Sequence, residues 1–185
     1  MKKRVLSVTL ILMVLLLIGT SHGQTVSNDT LVNNAVQYFD FIRNNDFHSA
    51  SRLFHYPGNY TKQELTDDMN TVSNLLAFLA NEFGGVLNQN ISEAPTSFYH
   101  VLVGGGDLPY WQKHPHSVKL TYKVDFEKEG RGYVRIRFCN ISGKWEIRQV
   151  EYGLPTSRPD SRERIMTIMQ KMMQPMQQSN EKQNS

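Results

Sequence analysis

The sequence predicts an α+β fold in which helices come first and pack on an antiparallel sheet, with one further helix at the C-terminus. Apolar residues recur at helical spacing in the first half of the chain, whereas from residue 118 they alternate with polar residues. Cys139 is the only cysteine, so no disulfide can form within the chain and a hydrophobic core must hold the fold. Residues 24–185, about 160 residues, are enough for one such core. Cys139 itself is expected to be buried, the alternative being a disulfide between chains.

The first helix is predicted to start near Asp29, with Ser27 or Asp29 as its N-cap. Residues 44–46, Asn-Asn-Asp, interrupt the pattern, and a second short apolar face then ends before Pro57. The apolar residues of the first helix are Val32, Ala35, Val36, Phe39 and Ile42, and those of the second face are Phe47, Ala50, Leu53 and Phe54.

A long third helix is predicted after Thr61, because Glu64 stands three residues later and completes a capping box. Gly84 and Gly85 supply a left-handed residue that ends this helix. Its apolar stripe consists of Leu65, Met69, Val72, Leu76, Leu79 and Phe83.

Strict alternation over residues 118–126, followed by turns at 129–132 and 140–144, predicts a three-stranded antiparallel meander. Residues 86–91 and 98–103 are shorter apolar runs that extend the sheet. Both faces of the second run are apolar, so it is expected to be central or covered. The folded domain is predicted to span residues 24–155.

A linker and a Met-rich helix are predicted over residues 156–176, with Pro175 ending the helix and a disordered tail at 177–185. The stripe of Ile165, Met169, Met172 and Met176 is interpreted as a docking face for the sheet or a partner. Copper binding by the thioethers is the alternative. Deleting residues 158–185 is expected to leave the meander folded and to expose an apolar patch.

Residues 1–23 have the order of a secretory signal: Lys2, Lys3 and Arg4, an apolar run, then small residues. Cleavage is predicted before Gln24, and an uncleaved N-terminal anchor is the alternative. The protein is therefore expected to be periplasmic or secreted, with no membrane span after cleavage. Sequons at Asn28, Asn59, Asn90 and Asn140 matter only in a glycosylating cell.

Removing residues 1–23 removes three of the 20 Lys and Arg residues and none of the 17 acids, so the mature chain is neutral. This balance argues against a nucleic-acid partner. Residues 24–100 are acidic and residues 101–185 are basic, and the two halves are expected to attract each other within one molecule or across a homodimer.

The order of elements, with the text AVQYFDFIRNNDFHSASRLF at residues 35–54, resembles the NTF2-like superfamily over residues 29–152. This is the cone-shaped α+β fold shared with ketosteroid isomerase and the SnoaL-like cyclases. The resemblance implies a cavity between the helices and the concave side of a curved sheet, which serves catalysis in some branches and binding or dimerisation in others. No catalytic motif is matched, so no functional residue is carried over.

The loop at residues 103–116 looks functional, but its three glycines lead to Asp107 and Leu108 rather than to the Lys and Ser or Thr of a phosphate-binding loop. His114 and His116 could reach one metal ion, yet a closed site needs further ligands, so a solvated loop is favoured and no metal or cofactor is predicted. Tyr110 and Trp111 are interpreted as covering a pocket mouth, an interface or their own core.

An isomerase-like site would need a carboxylate in an apolar cavity facing an acid such as tyrosine. Asp125 falls in the outward register, which leaves Glu151 and Tyr99. The predicted ligand-binding residues are Tyr99, Tyr110, Trp111, His114, His116 and Glu151. A separate basic sheet face is predicted from Lys119, Lys123, Arg135, Arg137 and Arg148, either solvated, anion-binding or facing a second subunit.

The function that these patterns favour is an exported, non-catalytic NTF2-like module that binds a small ligand or a protein partner. The alternative is a small-molecule enzyme of isomerase or cyclase type that uses the same cavity.

Overall fold

Within the part of the chain that the structure describes, three helices lead into a five-stranded sheet and a fourth helix follows it, which confirms the predicted α+β class. The computed structural model describes residues 28–56, 58, 60–92, 97–104, 117–141 and 143–183, and for residues 28 and 175–183 the backbone alone. The helices are α1 (Asn28–Arg43), α2 (Phe47–Ser51), α3 (Lys62–Phe83) and α4 (Ser161–Gln183). The strands are β1 (Val86–Ile91), β2 (Phe98–Gly104), β3 (Ser117–Phe126), β4 (Gly130–Ile141) and β5 (Lys144–Pro155).

Helix α1 buries one face, and this face differs in part from the predicted one. Val36, assigned to the stripe, is 40% exposed, whereas Tyr38 is fully buried. Asp29 lies inside the first turn rather than at the N-cap, and Ser27 lies outside the described residues. The buried side chains of the described part are Leu31, Ala35, Tyr38, Phe39 and Ile42.

The break between α1 and α2 falls where the Asn-Asn-Asp triplet predicts it. Asn45 adopts a left-handed φ of 56°, and the Asp46 carboxylate caps α2 by accepting from the Ser49 N–H at 3.0 Å. Helix α2 ends at Ser51, and Phe54 forms an isolated parallel bridge to Ile147 of β5. The second apolar face therefore combines a short helix with an extended segment.

The boundaries of α3 confirm the capping-box prediction. Glu64 N–H donates to Thr61 Oγ1 at 3.2 Å, and Thr61 N–H donates to the Glu64 carboxylate at 2.7 Å. Gly84 ends the helix with a φ of 83°. The buried part of the stripe is Val72, Leu76, Leu79 and Phe83.

The sheet is antiparallel and curved, with the strand order β1-β3-β4-β5-β2. Strands β3, β4 and β5 form the predicted meander. Strand β2 pairs with β5 alone among the described strands and therefore lies at an edge rather than at the centre of the sheet. Helices α3 and α4 contact it, which agrees with the other predicted alternative, a covered strand. Its two-sided apolar pattern has another cause: Phe98 stacks on Tyr133 on one face, while Val101 and Val103 are buried on the other.

The core lies between the helices and one face of the sheet. The Phe39 ring packs edge-on against Tyr122 of β3 at 5.0 Å, and the Phe83 ring lies 4.8 Å from Phe126 and 5.7 Å from Tyr152. Cys139 is buried, as predicted, and burial raises the pKa of its thiol. The opposite face of the sheet, called the outer face below, carries the polar residues that alternate with these core residues along the strands.

Helix α4 docks through a different stripe from the predicted one. Ile165 and Ile168 are buried, whereas Met169 is 42% exposed, and the side chain of Met176 lies outside the described residues. The stripe thus passes through Ile168 instead of Met169, because several phases of this apolar sequence satisfy helical spacing. The helix is described to Gln183 and continues beyond the predicted end at Pro175, since proline removes one helical hydrogen bond without always ending a helix.

Ion pairs attach α4 to the rest of the domain. Arg164 contacts Glu82 of α3 at 3.2 Å and also Glu129 of the β3–β4 turn, and Lys171 contacts Glu82 at 3.0 Å. Burial alone would raise the pKa of Glu82, but Lys171 and Arg164 outweigh it and lower that pKa. The acidic and basic halves of the chain therefore meet here within one molecule.

Candidate functional site

A cavity of about 240 Å³ opens between the α2–α3 region and the neighbouring ends of β2 and β5. Its lining combines apolar side chains, called the floor below, with polar ones, which is the usual composition of a small-molecule site. The lining residues are Phe54, His55, Tyr56, Tyr60, Asp68, Thr71, Val72, Leu75, Gly104 and Arg148.

The apolar floor is built by Phe54, Val72 and Leu75. The bridge to Ile147 fixes Phe54, and helical spacing on α3 places Val72 and Leu75 one turn apart. Gly104 closes this side, since a Cβ there would lie 2.8 Å from the Phe54 ring. Its φ of 76° favours glycine as well.

Arg148 lines the cavity from β5. Across the β4–β5 pair, Arg137 faces Gln149 and Phe138 faces Ile147, so that Arg148 is the extra residue of a β-bulge and has no opposing position. It has the phase of Val150 and Tyr152, which face the helices, and its side chain lines the cavity with 6% exposure. Arg148 is therefore not part of the predicted basic sheet face.

His55 and Glu146 form a hydrogen-bonded pair beside the cavity. His55 Nδ1 lies 2.7 Å from a Glu146 carboxylate oxygen, and Lys144 Nζ lies 2.6 Å from the other oxygen. Burial alone would raise the pKa of Glu146, but the bonds from Lys144 and His55 outweigh it and lower the pKa. Glu146 is therefore a carboxylate at neutral pH, and it fixes the orientation of the His55 ring.

Two phenols and one acid line the more exposed part of the cavity. Tyr56 donates to the Ser51 carbonyl oxygen at 2.9 Å, and burial raises the pKa of its phenol. A hydrogen bond to Asp68 raises the pKa of Tyr60. Because both phenols have protein partners, neither is positioned as a ready proton donor for a bound carbonyl.

Glu151, a predicted site residue, lies instead on the outer face of the sheet. Arg135 Nη1 donates to the Glu151 carboxylate at 3.0 Å, Gln149 donates to it at 3.2 Å, and His100 Nε2 lies 4.0 Å away. The Arg135 guanidinium also stacks 4.5 Å above the Phe98 ring. This cluster is a buried acid whose hydrogen bonds are met by its neighbours.

Tyr99 and Glu151 do not come together. Tyr99 pairs with Leu154 and Glu151 pairs with Leu102, so the two side chains lie on opposite faces of the sheet. Tyr99 is 39% exposed on the helix side, and the cavity lining does not include it. Asp125 is exposed, as its register predicts.

The predicted basic face is present on the outer side of β3 and β4. Register places Lys119 opposite Arg137, Thr121 opposite Arg135, and Lys123 opposite Tyr133. Burial, followed by the charge of Arg137, lowers the pKa of Lys119.

Four predicted site residues lie outside the described residues: Tyr110, Trp111, His114 and His116. Asp107 and Leu108, which follow the three glycines of the same loop, also lie outside them. Within the described ranges, no three His, Cys, Asp or Glu side chains gather as they would around a metal ion. Among the same residues, no helix has the length and apolar character needed to cross a membrane.

Two tyrosine hydroxyls meet in the core, away from the cavity lining. Tyr38 and Tyr152 are fully buried, and their hydroxyl oxygens lie 2.6 Å apart. Burial raises both pKa values, so both phenols are neutral at physiological pH. The pair lacks a group that can take a proton, and its role is structural.

Sequence reasoning missed Arg148, His55 and Glu146 as site residues. His55 could have been noticed as a lone histidine at the end of an apolar run, two residues before Pro57. Arg148 has the phase of Val150 and Tyr152, so alternation along residues 145–152 could have placed it on the helix side of the sheet.

A solved structure from Campylobacter jejuni, provisionally named an NTF2-like transpeptidase, matches this chain with a TM-score of 0.41 and 17% identity. The match covers 65% of this chain and 96% of the other. No family model matches the chain, and no curated protein matches it either. A likeness of this degree carries no inference about activity or substrate.

Proposed function

We propose that this protein is an exported module that binds a small organic molecule in the cavity beside Arg148. The observation that carries the proposal is the composition of that cavity: an apolar floor of Phe54, Val72 and Leu75 below polar groups that include Arg148. A volume of about 240 Å³ corresponds to about eight water molecules, and hence to a ligand of about ten non-hydrogen atoms.

Filling the cavity tests the proposal. Leu75→Trp adds an indole at the floor, and Val36→Trp is the matched control because Val36 is exposed on α1 and does not line the cavity. Ligand-observed NMR with small aromatic and branched aliphatic compounds should show binding to the wild-type chain and to Val36→Trp, and loss of it in Leu75→Trp. Equal binding by all three proteins would place the ligand elsewhere, and no binding to the wild type would reject the proposal.

Export is the second part of the proposal, and the arrangement of residues 1–23 supports it. Expression in a bacterium, followed by cell fractionation and N-terminal sequencing, is expected to give a periplasmic or secreted chain that begins at Gln24. Recovery of a chain that retains residues 1–23 in the membrane fraction would favour the uncleaved anchor.

The His55–Glu146 pair supports a second candidate, an enzyme of isomerase or cyclase type. In this candidate His55 takes a proton from the ligand, and Glu146 stabilises the resulting imidazolium. Binding alone is favoured because the phenols of Tyr56 and Tyr60 already have protein partners. The candidates differ in one measurement: a bound ligand with an acidic C–H should exchange it for deuterium in D₂O if His55 is a base, and should not in His55→Gln.

A further inference from the structure

We infer that the exposed methionine face of α4 pairs with the same face of a second copy of this chain, with the two helices antiparallel. This surface is separate from the cavity, whose lining includes no residue of α4, and the inference does not depend on the proposed ligand-binding function.

Helix α4 carries two apolar faces, one buried in the domain and the other exposed. Ile165 and Ile168 are buried, whereas Met166, Met169 and Met173 are 50%, 42% and 48% exposed. The three methionines follow one another at intervals of three and four residues, which aligns them along one face of the helix. This spacing is the repeat of helices that pack in pairs. The exposed methionines therefore form a pairing seam, called the methionine seam below.

The repeat extends beyond the three methionines in both directions. Arg162, which is exposed, stands four residues before Met166, and the sequence has a further methionine, Met176, three residues after Met173. The backbone of α4 is helical as far as Gln183, so these positions share one continuous helix. The seam thus has four methionine positions with an arginine at its N-terminal end.

The charge at the end of the seam favours a second copy in the antiparallel orientation. A parallel pair would place Arg162 beside Arg162 of the second copy, where the two charges repel each other. In an antiparallel pair whose two-fold axis is level with residue 171, Met169 faces Met173 of the second copy, and Arg162 lies beside the last turn of its α4. The C-terminal end of a helix carries a partial negative charge, which attracts a cation. The same chain therefore supplies both a matching apolar seam and the complementary charge.

The size of the contact determines the strength of the dimer. Helix α4 has 23 residues. Such a helix is about 34 Å long. One pair of helices of this length buries less than the roughly 800 Å² per copy of a standard interface. We therefore expect a dimer that dissociates on dilution rather than a permanent one.

Sedimentation velocity of the mature chain, residues 24–185, tests the inference. The chain should be a monomer at about 1 μM and form a growing fraction of dimer towards about 500 μM, since an interface of this size is weak. Met169→Lys places a charge in the centre of the seam and should raise the Kd of the dimer at least about ten-fold. Arg162→Glu should raise the Kd a few-fold, because it places an acid beside the C-terminal end of the opposite helix.

Gln174→Lys is the matched control for Met169→Lys. Gln174 is exposed on the same helix. It lies about 100° from Met173 around the helix axis, so the added lysine is off the seam and should leave the Kd unchanged. A chain that stays monomeric over the whole concentration range overturns the inference, and so does a dimer whose Kd is the same in Met169→Lys as in the wild type.

Disulfide trapping tests the orientation of the two helices. In the antiparallel pair, position 169 of one copy lies next to position 173 of the other, so an oxidised mixture of Met169→Cys and Met173→Cys should contain more cross-linked dimer than either variant alone. Cys139 is buried and does not compete for these thiols. Cross-linking within each variant alone, with no increase in the mixture, would indicate parallel helices and contradict the inference.

Discussion

The hydroxyl pair of Tyr38 and Tyr152 allows a quantitative test of how the core is held together. The two oxygens lie 2.6 Å apart, and both residues are fully buried between α1 and β5. Tyr38→Phe removes one hydroxyl and leaves the other in an apolar site that Phe54 and Phe83 help to form. Tyr152→Phe does the same from the other side.

The magnitude follows from the cost of an unpaired buried hydroxyl. Each single substitution is expected to lower the free energy of unfolding by about 1–3 kcal/mol. For a domain of this size, such a change lowers Tm by roughly 2–10 °C. The double substitution removes both polar groups and should cost no more than one single substitution, since nothing is then left unpaired. The coupling between the two positions should therefore be about 1–3 kcal/mol.

Urea denaturation of the mature chain, followed by far-UV circular dichroism, measures these four free energies. Tyr122→Phe is the control: its hydroxyl is buried and has no hydrogen-bond partner among the described residues, and burial raises its pKa to about 12. Its removal should leave stability unchanged or increase it. The reasoning is refuted if Tyr38→Phe and Tyr152→Phe each cost less than about 0.5 kcal/mol, or if their costs add in the double variant.

Three further predictions concern α4 and the sheet. Ile168→Ala should destabilise the protein by about 2–4 kcal/mol in the same assay, and Met169→Ala by less than about 0.5, because only the first side chain is buried. Gly153→Ala should reduce Tm far more than Gly85→Ala. At position 153 the new Cβ would lie 2.1 Å from the Phe98 ring and would overlap it, whereas at position 85 it would lie 3.7 Å from a Glu127 carboxylate oxygen, an ordinary contact. The lowered pKa of Glu82 means that its contribution to stability is complete above the unfolded-state pKa and is lost as pH falls through the lower folded-state value. The protection of α4 amides against hydrogen exchange, corrected for the intrinsic exchange rate at each pH, should therefore be lower at about pH 3 than at pH 6, and this difference should be smaller in Glu82→Gln.

The sequence predicted those features that depend on neighbouring residues. Thr61 and Glu64 start α3, Gly84 ends it, and the alternation after residue 118 gives the meander, because each pattern reports on local backbone geometry. Strand order depends on distant pairing. The contact of β1 with β3 and of β2 with β5 joins segments that are far apart in the chain, and no local pattern placed β2 at the edge.

The phase of α4 shows a related limit. Residues 165–176 contain so many apolar side chains that a stripe through Met169 and one through Ile168 satisfy the same spacing. Contacts with the sheet and α3 select the second, which leaves Met166, Met169 and Met173 exposed. The predicted fate of the chain after deletion of residues 158–185 stays a prediction, and burial of Ile165 and Ile168 now favours a larger loss of stability than expected from the sequence.

Arg148 shows how the candidate site was missed in the sequence. It has the same phase as Val150 and Tyr152, which face the helices, so alternation counted back from them places Arg148 on the cavity side rather than with the arginines of β4. The two faces of the sheet then differ in how their charges are satisfied. On the outer face, Arg135 and Gln149 satisfy the buried Glu151 carboxylate. Beside the cavity, Lys144 and His55 hold the Glu146 carboxylate. Each of these two acids is thus already engaged by neighbouring side chains, which supports the proposal that the cavity binds a ligand without using a catalytic acid.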